Sequence, residues 1–117
     1  MVQTYELKND TQSFASIDAN AVIINMNWWN HKQLPFIFAH ELGHIMNCDH
    51  DDAILSQYSC LNRLYEKQAD NYAIDLLIPT YVKDKGSEQT NVDEFMQKFQ
   101  IPKSLKDLCY EELKIFN

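Results

Sequence analysis

The run Phe36-Ile37-Phe38-Ala39-His40-Glu41-Leu42-Gly43-His44-Ile45-Met46 sets two histidines and a glutamate inside an apolar stretch. Read as a helix, it carries apolar residues on both sides of the histidines, so it must be largely buried. Pro35, just ahead, suits a first helical turn, where its missing N–H needs no partner. Burying a polar His-Glu-x-x-His set in such a helix is costly unless the groups have partners. Gly43 adds about 1 kcal/mol of helix cost relative to Ala, which is offset only if another element approaches closely there. Any fold for this chain must therefore wrap a polar cluster on a buried helix.

His40 and His44 lie four positions apart and share one helix face, about one turn apart. Two imidazoles so placed can converge on one Zn²⁺, while Glu41, one step round, reaches a water beside the metal instead of the metal itself. The bland alternative is a buried helix whose two histidines are satisfied by neighbours; the apolar context makes it the poorer reading. A catalytic zinc takes three protein ligands and keeps one open position. Two residues compete for the third place. Glu66 opens Glu66-Lys67-Gln68-Ala69-Asp70, with Asp70 on the same helix face at i, i+4. Asp70 can accept the free ring N–H of a ligand histidine, fixing its tautomer. His50 stands where HExxHxxGxxH places its third histidine, with Asn47 in place of the glycine. Glu66 is the favoured ligand, and a solvent-facing His50 is the default.

Ahead of the helix, Gln3 to Leu7, Ser13 to Ile17 and Ala21 to Trp28 read as strands. Val22, Ile24, Met26 and Trp28 alternate onto one buried face, with Asn25 and Asn27 on a wet one, as in an antiparallel sheet. Trp28 and Trp29 read as packing residues at the strand end. Behind it, a second helix is expected from about Leu61 to Leu77, stopping before Pro79. A polar break is expected at Asn47 to Asp52 and a polar loop at Lys83 to Asn91. A short amphipathic helix follows at Val92 to Phe99, and a last one runs from Ser104 to about Phe116. Strands first and helices after imply an α+β domain: a short N-terminal antiparallel sheet, the active-site helix and a helical C-terminal half.

A chain of 117 residues suits a single domain spanning 1–117. Only 2 Gly and 3 Pro argue against a turn-rich barrel. The net charge of -7 repels phosphate and makes nucleic acid a poor direct partner. Three cysteines (Cys48, Cys60 and Cys109), with no pair at CxxC spacing, read as free thiols in a reducing compartment. The start Met1-Val2-Gln3-Thr4 lacks the basic, then apolar, order of a leader, and no run is long enough to span a membrane. The expectation is a cytoplasmic protein.

Phe38-Ala39-His40-Glu41-Leu42-Gly43-His44-Ile45, then Glu66-Lys67-Gln68-Ala69-Asp70-Asn71-Tyr72-Ala73-Ile74-Asp75-Leu76-Leu77-Ile78-Pro79, resembles the ImmA/IrrE-type metallopeptidases. Their pattern is HELGH, then E-x-x-A-[DN]-x-[FY]-A, then Leu-Leu-x-Pro. The resemblance covers about residues 20 to 80. It implies a zinc site of gluzincin type, with His40, His44 and Glu66 as ligands and Glu41 as catalytic base. It also implies a phage or mobile-element setting and a helix-turn-helix repressor as partner and substrate. Asp70 is expected to orient His40, and the edge of the strand Ala21 to Trp28 to pair with an extended substrate. His31, His50, Tyr65 and Tyr72 are candidates for a further oxyanion donor, with Tyr72 more at home in the core and His31 at the surface. The alternative function is a non-cleaving antirepressor with a structural metal, against which the intact Glu41 argues.

Overall fold

The structure is a computed structural model and describes residues 2–47, 63–85 and 90–116. Three strands come first: β1 (Val2–Tyr5), β2 (Phe14–Ser16) and β3 (Ala21–Asn25). A 3-10 turn at His31–Gln33 leads into α1 (Leu34–Asn47). Then come α2 (Arg63–Lys85), α3 (Val92–Phe99), a second 3-10 turn at Lys103–Leu105, and α4 (Lys106–Phe116). The class is α+β, as the order of patterns in the sequence implies.

The sheet order is β1-β3-β2. β2 and β3 form a hairpin, Phe14 opposite Ile23 and Ser16 opposite Ala21. Asn20 turns the chain between them with φ 50, a left-handed conformation that asparagine tolerates. β1, however, lies parallel to β3, Val2 opposite Val22 and Tyr5 opposite Asn25. The expected antiparallel sheet is thus a mixed one. The cause is the loop 6–13, which leaves β1, crosses the end of β3 and delivers the chain to the opposite edge.

Asn25 holds that crossing loop. Its side-chain oxygen accepts from Leu7 N and Asn27 N, each at 3.0 Å, and its amide donates to Lys8 O at 2.7 Å and Thr11 O at 2.8 Å. Asn25 is therefore 0% exposed, not on a wet face as the alternation suggested. The strand ends at Asn25, so Met26 is exposed and does not continue the buried face. Val22 and Ile24 are buried as expected, and α1 packs against this sheet.

The helical core joins Phe36 and Ala39 of α1 to Ala73, Ile74, Leu77, Ile78 and Tyr81 of α2, Phe95, Met96 and Phe99 of α3, and Cys109 and Leu113 of α4. α2 runs straight through Pro79 to Lys85 instead of stopping before the proline. Pro79 lies on the exposed face, so the Asp75 carbonyl that loses its helical partner can be hydrated. Ile78 and Tyr81 are buried beyond that point, and this burial carries the helix on. Tyr81 accepts a hydrogen bond from Asn91 N at 2.9 Å and donates to the Glu94 carboxylate at 2.9 Å, tying α2 to the start of α3. Asn91 caps α3 by accepting from Asp93 N and Glu94 N.

Cys109 is a free, buried thiol, which burial, with help from the Asp70 charge, pushes up to about 12. Cys48, Cys60, His50 and residues 48–52 of the polar break expected at Asn47 to Asp52 fall outside the described residues, as do residues 86–89 of the loop expected at Lys83 to Asn91. Asn47 itself still belongs to α1, and Lys83 to Lys85 belong to α2 and not to the loop. Among the described residues no helix is long and apolar enough to cross a membrane.

Candidate metal centre

The site is made where α1 and α2 cross. The crossing is tight because Gly43 has no side chain. A Cβ there would stand 3.0 Å from Ala69 Cα, 3.1 Å from Ala69 O and 3.2 Å from Tyr72 Cβ. The close approach that a mid-helix glycine implies is therefore present, and its partner is the Glu66–Asp70 turn of α2.

That approach brings His40, His44 and Glu66 together, their ligand atoms all within 4.8 Å of one another. Glu66 Oε2 lies 3.2 Å from His40 Nε2, and Glu66 Oε1 lies 2.9 Å from His44 Nε2. Both imidazoles thus aim the same nitrogen at one carboxylate. The rings meet edge to face with centroids 5.0 Å apart, as a one-turn spacing allows. His44 is 3% exposed and Glu66 44%, so the cluster has a sealed side and an open one. Two imidazole nitrogens and a carboxylate oxygen converging in this way fit a zinc ion, whose preferred catalytic donor sets include His₂Glu.

Asp70 Oδ1 lies 2.8 Å from His40 Nδ1, although the ring N–H does not point straight along that line. It is close enough to hold the tautomer that leaves Nε2 facing Glu66. His44 Nδ1 has no hydrogen-bond partner among the described residues.

The charges around these groups set their protonation. Burial is the largest influence on His40 and would lower it. The Asp70 contact and the charges of Glu41, Asp70 and Glu66 together outweigh burial, so His40 ends above its ordinary value. His44 ends below, mainly through burial, with the His40 charge acting the same way against Glu66. A lowered histidine offers a neutral ring to a metal. Glu41 is lifted to about 7, chiefly by burial; His40 pulls it down, Glu66 pushes it up, and a backbone hydrogen bond from Ala15 of β2 pulls it down again. A carboxyl poised near neutrality can both accept and return a proton.

A family model described as metallo-peptidase family M12 matches residues 4–75. The chain belongs to that family. The M12 match spans the end of β1, all of β2, β3 and α1, and the first half of α2, so every residue of the cluster lies within it. It also spans His50, and so does not choose between His50 and Glu66; the observed convergence on Glu66 comes from the geometry. No curated protein and no solved structure gives a significant match.

The remaining site expectations divide. His31 is exposed, as expected, and Tyr72 is half-buried with its Cβ against Gly43. Trp29 is 66% exposed and packs little. Trp28 is half-buried with its ring centroid 6.1 Å from that of Trp29, and it also lines a cavity beside His40 and Glu41, a role that nothing in the local alternation signals. The strand expected to offer its edge to substrate cannot do so, because β3 is the middle strand with both edges paired.

Proposed function

We propose that the chain is a zinc-dependent endopeptidase of the ImmA/IrrE type, acting in the cytoplasm on a helix-turn-helix repressor. The observation that carries the catalytic part is the pair of Nε2 atoms facing one carboxylate, with Glu41 beside them on the same helix. His40, His44 and Glu66 would hold the metal. Bound there, zinc would supply Lewis acidity toward the attacking water and the scissile carbonyl. Asp70 keeps His40 in its ligand tautomer. Glu41 takes a proton from the attacking water and delivers it to the leaving amine nitrogen. Because β3 is enclosed, the strand edge next to the helix is that of β2, and Ala15 of β2 already hydrogen-bonds Glu41. An extended substrate lying on that edge would bring its backbone within reach of Glu41.

The repressor as substrate rests on the paired motifs His40–His44 and Glu66–Pro79. Its test is cleavage of the helix-turn-helix regulator encoded nearest this gene, by wild type and by Glu41→Gln with zinc content checked in both. Wild type should cut and Glu41→Gln should cut at least about 100-fold more slowly. If both bind the regulator and neither cuts it, the protein is a metal-containing antirepressor instead.

The ligand set has its own check. Zinc measured by elemental analysis after dialysis should stand near one per chain in wild type and in His50→Ala, and fall close to zero in His44→Ala and Glu66→Ala. Zinc lost from His50→Ala and kept by Glu66→Ala would reverse the assignment of the third ligand.

A further inference from the structure

The cavity beside the metal cluster has a volume of about 300 Å³. Its apolar walls are Trp28, Phe36, Ile37 and Pro102, and His40 and Glu41 line it as well. It draws on six separate pieces of the chain: the end of loop 6–13, the segment after β3, the 3-10 turn, the first turns of α1, Asp70 of α2 and the turn after α3. Such a composite wall needs ties, and it has them. Trp28 Nε1 donates to Gln33 Oε1 at 3.0 Å, and Gln33 Nε2 donates to Gln100 O at 3.0 Å. Gln100 itself holds a left-handed φ of 53 at the end of α3, which turns the chain toward Pro102.

These ties also decide what the cavity can recognise. The Gln33 amide has both ends committed to the protein, so it has little to offer a polar guest. Asp70, also on the lining, is engaged by His40. Among the described residues no lysine or arginine lines the cavity, and the carboxylates of Glu41 and Asp70 would oppose an acidic guest. Ser13 Oγ is taken up by Asn25 N, and Gln12 is an exposed amide at the lining; the remaining surface offered to a guest is indole, phenyl, sec-butyl and pyrrolidine. A cavity of about 150 Å³ already accepts a benzene ring, so this one accommodates a single large side chain.

We propose that this cavity is the recognition pocket for a large apolar side chain, of the Phe, Leu or Met class, next to the scissile bond of a peptide substrate. Trp28 and Ile37 are its specificity-determining walls. The placement of the pocket on a peptide rests on the peptidase reading above, whereas its preference for apolar side chains rests on its lining alone.

The test uses the full chain carrying Trp29→Phe and Glu41→Gln, with and without zinc. Trp28 is then the only tryptophan, and nothing is cut during a titration. The probes are blocked pentapeptides Ac-Ala-Ala-X-Ala-Ala-NH₂ with X as Phe, Leu, Ala, Asp or Lys, read by Trp28 fluorescence. Phe and Leu should bind at least about 10-fold tighter than Ala or Asp. Adding Ile37→Lys, with folding checked by circular dichroism, should abolish that advantage and favour Asp. Ile37→Ala, which only removes wall area, should weaken Phe binding several-fold and serves if the lysine variant does not fold. Equal binding of all five peptides, or a preference for Lys, overturns the pocket.

Cleavage of the same peptides by the zinc-loaded protein with Glu41 intact separates the two claims. Selective binding without cleavage keeps the pocket and removes the peptidase reading. Cleavage indifferent to X keeps the peptidase and removes the pocket.

Discussion

Replacing Gly43 with alanine is expected to lower stability by about 1–2 kcal/mol and zinc affinity by about 10–100-fold. Two effects oppose each other. Alanine is the better helix former, by about 1 kcal/mol. Against that, the new methyl would sit 3.0 Å from Ala69 Cα and 3.1 Å from Ala69 O, well inside ordinary carbon contact. Both of those are backbone atoms, and the third neighbour, Tyr72 Cβ, is fixed to its backbone too. No side chain can rotate away, so the helices themselves must separate. Overpacking of this kind costs about 1–3 kcal/mol and outweighs the propensity gain.

Zinc binding should respond more sharply. His40 and His44 ride on α1 and Glu66 rides on α2, so a separation of a few tenths of an ångström falls directly on the ligand distances. Metal sites tolerate about ±0.2 Å. Thermal melts and competitive zinc titration of Gly43→Ala measure both effects. A variant with unchanged melting temperature and unchanged zinc affinity would show that the two helices are not locked at this crossing.

Asn25→Leu is expected to be the more destabilising change, by about 3 kcal/mol or more. The leucine is similar in size, so the loss is one of hydrogen bonding. The asparagine uses its full side-chain capacity, two acceptor and two donor contacts, to satisfy Leu7 N, Asn27 N, Lys8 O and Thr11 O. Leucine leaves four backbone groups without that partner at the point where loop 6–13 crosses the sheet. The loop continues into Gln12 and Ser13 at the cavity rim, so the active cleft should loosen with it. Asn25→Asp separates the two halves of the bond set. It keeps the acceptor for Leu7 and Asn27 but turns an oxygen toward two carbonyls. The carboxyl that must donate there is held protonated in the fold, so its pKa rises above the unfolded value. The variant should then be most stable below the ordinary carboxylate range and lose stability as pH rises. Urea melts across pH measure this. Asn25→Leu melting with wild type would mean that water replaces the side chain at no cost.

These two residues mark the boundary between what was legible in the sequence and what was not. Gly43 announced itself, because a glycine inside an apolar helix needs a reason and close approach is the usual one. Asn25 did not, because an alternating pattern assigns it to a wet face. The pattern counts neighbours along the strand and contains nothing about a loop returning from residue 11. Pro79 misled for a related reason. Its local rule ends a helix, yet burial of Ile78 and Tyr81 against α3 and α4 outweighs one missing hydrogen bond on an exposed face.

By itself, the sequence determined everything that follows from the period of one helix. His40 and His44 share a face, Glu66 and Asp70 share another, and Glu41 is offset from His40 by one step. Those relations are local, with 3.6 residues per turn leaving no choice. Only the tertiary structure decided which strand lies in the middle, that β1 runs parallel to β3, that Trp28 walls a cavity and that Glu66 meets both imidazoles. Each of these depends on contacts between residues far apart in the chain, where many pairings satisfy the same local pattern and packing of the whole domain selects one.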